Sequence, residues 1–397
     1  MTSRFGFALL ALGLTAVPAL AQTPPVEPAP RVSGPATHEN VSVYFVHGTS
    51  VPGPVPDTLQ EALAKGTVEV QETGNVQELK IENKGQTPVF VQFGDIVKGG
   101  QQDRVLTISM VLQPGSGVVP IGAYCVEQGR WAARGTEDVK RFALSEALIP
   151  SREAKIAMAN RAKPKDADNA AQVRAGLGAA PAAGPVNPLA LEAGNGAAPP
   201  RAVGEQAASV NRQARSQDQA GGGQSEVWRS VAAVQSGLTA SLDASVASEK
   251  SRTSLQLALE HEKLKEAQAG YLAALEPAGF IGDDIVGVVL AVNGRLSSAD
   301  VYPSNGLFRK MWPKLARAAA TEALSGRKQA EVAKSGAGTP PAISAVTAFL
   351  AEAETGKASE LALGTHAKIE TRASPNAVRM EARKPDGQFV HRNYVAY

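Results

Sequence analysis

Apolar and polar side chains alternate with a period of two along the first part of the chain, as they do in strands with one buried face. The pattern begins at residues 41–46. Further strand candidates lie at residues 67–72, 76–83, 87–93, 104–112 and 118–127. A short helix is expected over residues 56–65, with Asp57 or Thr58 as its N-cap. The pattern predicts an antiparallel, β-rich half over residues 40–160.

Apolar residues at helical spacing dominate the second part of the chain, residues 225–397. Between its helices, residues 283–302 predict a strand, an Asn293-Gly294 hairpin turn and a return strand. A helix is expected over residues 306–324, where Pro313 should kink it or begin a second helix. Three short strand candidates follow, at residues 367–372, 377–382 and 389–396.

Strands in both halves with helices between them predict one α+β domain whose terminal strands could share a sheet. Residues 161–224 interrupt this domain and are dominated by Ala, Gly, Pro, Gln and Asn, without an aromatic between Phe142 and Trp228. Such a segment cannot bury enough apolar surface to offset the entropy of ordering it. We therefore expect a disordered insertion there, and an extended proline-rich tether over residues 22–39.

Residues 1–21 have the pattern of a secretory signal peptide. Arg4 supplies the positive start, residues 5–17 are apolar, and Ala19-Leu20-Ala21 matches a small-x-small cleavage site. An uncleaved membrane anchor is the alternative, but the apolar run is short for a span of ~20 residues. We expect cleavage after Ala21, no transmembrane segment after that cleavage, and a periplasmic or secreted protein.

Composition narrows the classes of function. The formal net charge is +2, from 40 basic and 38 acidic residues, so the charge balance gives no case for a nucleic-acid partner. The single cysteine, Cys125, reads as a buried small hydrophobe, because a carboxylate on the same strand face disfavours a thiolate. None of the five histidines has metal-ligand spacing, and no serine lies in a nucleophile motif. We expect no metal and no cofactor.

Charged and polar residues are concentrated in residues 94–131, which otherwise have the pattern of buried β-strand. They are Asp95, Lys98, Gln101, Asp103, Arg104, Glu127 and Arg130. Charged side chains are rarely buried unless they are paired. If the strands on either side of residues 113–117 form a hairpin, Asp103 and Arg104 meet Glu127 and Arg130 at its far end.

This predicted cluster has two interpretations. As structure, it fixes the strand register and pairs its own charges, which adds little net stability. As a site, its arginines could hold a phosphate or carboxylate with two hydrogen bonds each. Glu127 or Asp103 would then be the candidate general base. The sequence leaves both interpretations open.

The same residues lie in segments that resemble a known domain family. The segments GDIVKGGQQDRV, GSGVVPIGAYCVEQGRW, QSEVWRSV and VVLAVNGRLSSADVYPSNGLFRKMWPKL, in this order, resemble the ARG and Rhodanese-Phosphatase-superfamily-associated Protein domain over residues 41–325. The resemblance implies one domain split by a variable linker, and no established catalytic role. It also implies one common surface for Asp103, Arg104, Glu127, Arg130, Asn293, Asp300 and Asn305.

Our leading hypothesis is a binding module of the cell envelope that holds a small anionic ligand or a segment of an envelope protein. Its expected ligand-binding residues are Arg104, Arg130, Lys98, Gln101, Asp300 and Asn293. One alternative is a hydrolase or transferase for a phosphorylated or ADP-ribosylated substrate, with Glu127 or Asp103 as general base and Asp300 assisting. The other is a purely structural envelope protein.

Overall fold

The computed structural model describes residues 30–143, 145–160, 223–332 and 338–397. The predicted signal peptide, the first part of the tether and nearly all of the predicted insertion lie outside these ranges. The helices are α1 (Leu59–Ala64), α2 (Arg152–Asn160), α3 (Gln224–Leu242), α4 (Leu255–Leu259), α5 (Glu262–Leu275), α6 (Asn305–Val332) and α7 (Ile343–Glu354), with a 3-10 turn at Glu276–Phe280. None of the helices in the described ranges is long and apolar enough to cross a bilayer.

The largest sheet has eight strands and contains strands from both halves of the chain. In spatial order they are β1 (Arg31–His38), β2 (Val41–His47), β12 (Ile285–Val292), β13 (Arg295–Val301), β17 (Phe389–Ala396), β16 (Ala377–Arg383), β15 (Ala367–Ala373) and β14 (Lys357–Leu363). Every neighbouring pair is antiparallel. The sheet confirms the α+β prediction and the prediction that terminal strands share a sheet.

Two smaller sheets complete the β-structure. The six-stranded one runs β11 (Phe142–Ala143), β7 (Ile96–Gly99), β8 (Arg104–Leu106), β10 (Val118–Cys125), β5 (Glu78–Asn83) and β4 (Val68–Glu72). The three-stranded one runs β3 (Asp57–Thr58), β6 (Val89–Val91) and β9 (Met110–Leu112). The strand predicted over residues 104–112 is therefore two strands in different sheets, because the chain leaves strand geometry between Leu106 and Met110.

Local sequence signals explain several of these elements. Thr58 caps α1 through a capping box with Glu61, in which each side chain bonds the other residue's backbone amide. Asn293 and Gly294 both have positive φ, 51° and 72°, as a type I′ hairpin turn between β12 and β13 requires. Helix α6 continues through Pro313 instead of ending there.

Some elements differ from the sequence-based expectation. Arg31–His38, assigned to the tether, forms edge strand β1. Neither α7 nor β14 was predicted; β14 is an edge strand with half of its side chains exposed, so it lacks the apolar signal of the inner strands.

The main core lies between the eight-stranded sheet and the helices. Helix α6 packs against α3, α5 and β12. Its buried stripe includes Phe308 and Trp312, whose rings stack at 5.9 Å, and Phe45 of β2 meets Trp312 edge-on at 5.7 Å. Helix α7 covers the opposite face of the sheet, where Tyr44 and Phe349 belong to a second apolar cluster.

Helices α3 and α6 cross where Gly237 leaves no room for a side chain. A Cβ there would lie 2.1 Å from the Ser325 carbonyl oxygen. We expect Gly237→Ala to destabilise the protein by about 1–3 kcal/mol, because the helices would have to separate. Chemical denaturation measures the change.

Gly270 of α5 is the matched control. It is exposed, and an added Cβ would meet only the His38 side chain at 3.7 Å. Gly270→Ala should stabilise the protein by up to ~1 kcal/mol, through helix propensity alone. Equal effects of the two variants would contradict the close crossing.

Candidate functional site

The charged residues predicted near the β8–β10 pair form two adjoining sets of buried ion pairs. Asp103, Glu127, Arg130 and Arg134 share one set, and Arg104 pairs with Glu72 beside it. We call the two sets together the arginine network. Strands β8 and β10 pair antiparallel, with Arg104 opposite Cys125. The structure thereby brings Asp103, Arg104, Glu127 and Arg130 together at the strand ends, as the hairpin argument predicted.

Asp103 is the centre of this network and has no exposed surface. Arg134 donates to its two carboxylate oxygens at 2.7 and 2.6 Å. The Ser254 hydroxyl donates to it at 2.6 Å, and the Gly99 amide donates at 2.9 Å. Asp103 thus joins the β7–β8 turn, the loop after β10 and the N-cap of α4.

Glu127 and the other two arginines extend the network. Glu127 accepts from the Asp103 amide at 3.0 Å and from Arg130 Nε at 2.8 Å. Arg130 also donates to the carbonyl oxygens of Gly99 and Gly100, at 3.1 and 2.9 Å. Arg104 pairs with Glu72 at 3.2 Å. Each guanidinium group is engaged by protein acceptors, although Arg104 Nε and the neighbouring Gln102 Nε2 are buried without an acceptor among the described residues.

Burial and charge act in opposite directions on the two central carboxyls. Burial raises the pKa of Asp103, and the nearby Glu127 charge adds to this effect against the attraction of Arg134. Burial also acts to raise the pKa of Glu127, but hydrogen bonds from Arg130 and Ser251 outweigh it and hold that pKa below its usual value. A network that satisfies its own charges favours the structural interpretation.

The other predicted site residues lie in different places. Lys98 pairs with Glu260 at 2.7 Å, and the backbone amide of Gln101 donates to Glu72 at 3.0 Å, so both residues border the arginine network. Asn293 lies in the β12–β13 turn and accepts from Asn40 at 2.8 Å.

Three further polar residues complete this inventory. Asp95 pairs with Lys314 of α6 at 2.6 Å. Asn305 donates to the carbonyl oxygens of Gly282 and Ile285, at 3.1 and 2.7 Å. Asp300 belongs to a separate buried centre, so hydrogen bonds and ion pairs among the described residues do not assemble the single surface that the resemblance implied.

Cys125 is buried, as predicted, at 1% exposure. Burial raises the pKa of its thiol to about 11, so the thiol stays protonated at neutral pH. A nucleophilic role for Cys125 is not supported by this environment.

The centre around Asp300 is a narrow cleft between the eight-stranded sheet and helices α2 and α6. Its polar lining residues are Gln92, Lys155, Asp300, Glu322 and Asn393, and we call it the polar cleft. Apolar residues such as Leu148, Ile149 and Leu315 complete the wall. The enclosed space holds about one water molecule.

Asp300 is held on the sheet side of the polar cleft. It accepts from the Asn393 amide at 2.9 Å and lies 3.2 Å from His391 Nε2. Burial acts to raise the pKa of Asp300, but the neighbouring His391, Lys155 and Asn393 together outweigh burial and lower it. Asp300 is therefore a carboxylate despite its burial.

Two groups in the polar cleft lack the partners that burial normally demands. Lys155 donates to the Ser298 hydroxyl at 3.0 Å but forms no ion pair with a carboxylate of the described ranges. Asn393 Oδ1 is buried without a hydrogen-bond partner among the described residues. Its amide orientation is fixed, because Nδ2 donates to both Asp300 and the Ala299 carbonyl.

Sequence reasoning named Asp300 as a site residue, but on one surface with the arginine network, and it did not name Lys155, Glu322, Asn393 or His391. One usable signal is period two in β17, which places His391 and Asn393 on the same face. A second is Lys155, which interrupts the apolar run of α2 at a buried position. Neither signal says which strand or helix lies opposite.

Fold and sites together define an α+β domain with antiparallel sheets, a self-paired ionic network and a separate buried polar cleft. The family model of the ARG and Rhodanese-Phosphatase-superfamily-associated Protein domain matches residues 29–174 and 192–395. The chain belongs to this family. The match is interrupted at residues 175–191, inside the segment predicted as an insertion. Neither the curated proteins nor the solved structures contain a match to the chain.

The arginine network gives a stability prediction. Arg134→Ala leaves Asp103 buried without its main partner, so we expect a loss of about 3–5 kcal/mol in the free energy of unfolding. Denaturant titration measures it. Arg141→Ala is the control, since Arg141 pairs with Glu69 at 2.8 Å but is 64% exposed. The control should lose less than ~1 kcal/mol, and an equally mild Arg134→Ala would argue against a structural network.

Glu322 gives a prediction about pH. Burial raises the pKa of Glu322 above its ordinary value of 4.5, although Ser297 donates to it at 2.6 Å. The folded state therefore retains a proton that the unfolded state releases above about pH 4.5. This stabilisation is complete below that pH and is lost as the pH rises through the folded-state pKa.

Glu322→Gln should remove that pH-dependent loss, so that the variant and the wild type diverge as the pH rises. Melting temperatures across pH 4–9 test this. Glu262→Gln, at an exposed position of α5, is the control and should follow the wild-type profile. Parallel profiles for Glu322→Gln and wild type would contradict the prediction.

Proposed function

We propose that this protein binds a small anionic molecule in the polar cleft, with Lys155 as the group that holds the anion, and that it does so after export to the cell envelope. The observation that carries the proposal is the buried ammonium group of Lys155. It donates to Ser298 and interacts electrostatically with Asp300 and Glu322, but it forms no ion pair with a carboxylate of the described ranges. A buried charge without a direct ion-pair partner is costly. A ligand carboxylate or phosphate oxygen beside Lys155 removes that cost.

Asn393 defines a second feature of the ligand. Its free Oδ1 accepts hydrogen bonds only, and the Asp300 carboxylate beside it accepts as well. A hydroxyl or ammonium group on the ligand would satisfy this side of the polar cleft. A small hydroxy- or amino-carboxylate has the groups that match both sides. Because the cleft encloses room for about one water molecule, such a ligand enters only if the side chains of its wall move apart.

Glu322 makes the proposed binding depend on pH. Its carboxyl also lines the polar cleft, and burial raises its pKa. When Glu322 is ionised, it repels an anion near Lys155, and when it is protonated it does not. Affinity for a hydroxycarboxylate should therefore rise as the pH falls.

The arginine network is a less suitable anion site than the polar cleft. Its arginines are already held by Glu72, Asp103 and Glu127, so an anion would have to displace an internal carboxylate. The support for export is the N-terminal pattern of Arg4, the apolar residues 5–17 and the Ala19-Leu20-Ala21 site.

Thermal unfolding of the chain from Gln22 tests the proposal, with glycerate, lactate, glycine, alanine and inorganic phosphate as probes. A probe at 100 times its dissociation constant adds about 2.7 kcal/mol and raises the melting temperature. Lys155→Met should abolish that shift while the variant remains folded. Retention of the full shift in Lys155→Met would refute the proposed site.

Lys98→Met is the matched control. Lys98 was an expected ligand-binding residue and borders the arginine network, where it pairs with Glu260. If the ligand binds in the polar cleft, Lys98→Met keeps the shift. Loss of the shift in Lys98→Met alone would move the site to the arginine network, and no shift with any probe would count against a small-anion function.

A further inference from the structure

We propose that Ser109, His391 and Asp300 form a nucleophilic centre that cleaves small aliphatic esters by acyl transfer to Ser109. This activity goes beyond ligand binding in the polar cleft. Ser109 Oγ lies 2.9 Å from His391 Nδ1, and His391 Nε2 lies 3.2 Å from Asp300 Oδ1. A serine, a histidine and an aspartate in this sequence of contacts have the geometry of an activated hydroxyl, which is recognised by geometry and roles rather than by fold.

Three separate parts of the fold position this serine centre. Ser109 lies where the chain passes from β8 to β9, and so between two sheets. Asp300 and His391 lie on the adjacent strands β13 and β17 of the eight-stranded sheet. All three are buried, and each is fixed by the pairing of its own segment.

The hydrogen bonds around Ser109 and His391 indicate which of their atoms carry a proton. The Phe93 amide donates to Ser109 Oγ at 2.8 Å, which leaves the hydroxyl proton to be donated to His391 Nδ1. The neutral imidazole then carries its own proton on Nε2, which lies 3.2 Å from Asp300 Oδ1 without forming a hydrogen bond to any of the described residues. This contact has to tighten when a substrate binds. Asn393 donates to the same carboxylate and orients it. This is the polarity of a catalytic triad, with the two ring nitrogens exchanged.

A cavity beside Ser109 and His391 distinguishes this centre from three hydrogen-bonded residues that only stabilise the core. Its other lining residues include Ile108, Ile369, Met380 and Ala382, which are apolar, and half-buried Thr107. A hydrogen-bonded trio that only stabilises the core needs no space at its hydroxyl. The enclosed space has room for about one water molecule, so a short acyl chain enters only by displacing the apolar side chains of this wall.

The reaction balances with water as the second reactant. Ser109 Oγ attacks the ester carbonyl carbon, its proton moves to His391 Nδ1, and the carbon–oxygen bond to the alcohol breaks. The alcohol leaves with the proton from His391. Water then attacks the acyl-serine, passes one proton to His391, and releases the carboxylic acid as the serine hydroxyl is restored.

Labelling with diisopropyl fluorophosphate tests the centre, because this probe forms a phosphoester with an activated serine and releases fluoride. We expect intact-mass and peptide analysis of the chain from Gln22 to place one adduct on Ser109. The same preparation should hydrolyse p-nitrophenyl acetate. Ser109→Ala should lose both signals, and His391→Gln should slow labelling by at least ~100-fold.

Ser145→Ala is the control, since Ser145 is also buried and donates to Gln256 at 2.6 Å. It should label like the wild type. If His391→Gln does not fold, Asp300→Asn with a checked melting temperature replaces it and should slow labelling at least tenfold. Absence of labelling in folded wild type, or an adduct that persists in Ser109→Ala, would overturn the proposal.

Discussion

The pairing of β13 with β17 is the contact on which both buried centres of the sheet depend. It joins the β12–β13 hairpin to the C-terminal strands and sets Asp300 opposite Asn393. A slip of β17 by one residue would turn His391 and Asn393 to the face covered by α7, while Asp300 would stay on the other face. The polar cleft and the serine centre would then both be lost. The register is secured on both sides, because β17 also pairs with β16 and β13 also pairs with β12.

The two polar regions of the protein differ in how completely they satisfy their own charges. In the arginine network, Asp103 accepts from Arg134, Ser254 and the Gly99 amide, which leaves little for a ligand to add. In the polar cleft, Lys155 and Asn393 are each left with unused bonding capacity. The most charged part of the β-rich half therefore pairs its own charges, and less charged segments line the cleft.

Sequence patterns predicted the structural features that residues close together along the chain determine. The Asn293-Gly294 turn, the α1 cap and the meeting of β8 with β10 follow from local signals, and the α+β class follows from their order. Contacts between residues far apart along the chain could not be predicted from these local signals. Ser109 and His391 are 282 residues apart and share a hydrogen bond only because β9 and β17 approach each other in the fold. The shared sheet was predicted as a class of arrangement, but a sequence alone does not set the order of its strands.

The strand order also has a kinetic consequence. β17 follows every other strand along the chain, yet it lies inside the eight-stranded sheet, between β13 and β16. The eight-stranded sheet is incomplete until β17 pairs with both β13 and β16. Until then, the part formed by β1, β2, β12 and β13 has an unpaired edge at β13. Contacts of such large separation slow folding, because the chain loses much of its freedom before they form. During synthesis the uncovered edge of β13 is the part most in need of protection from pairing with other chains.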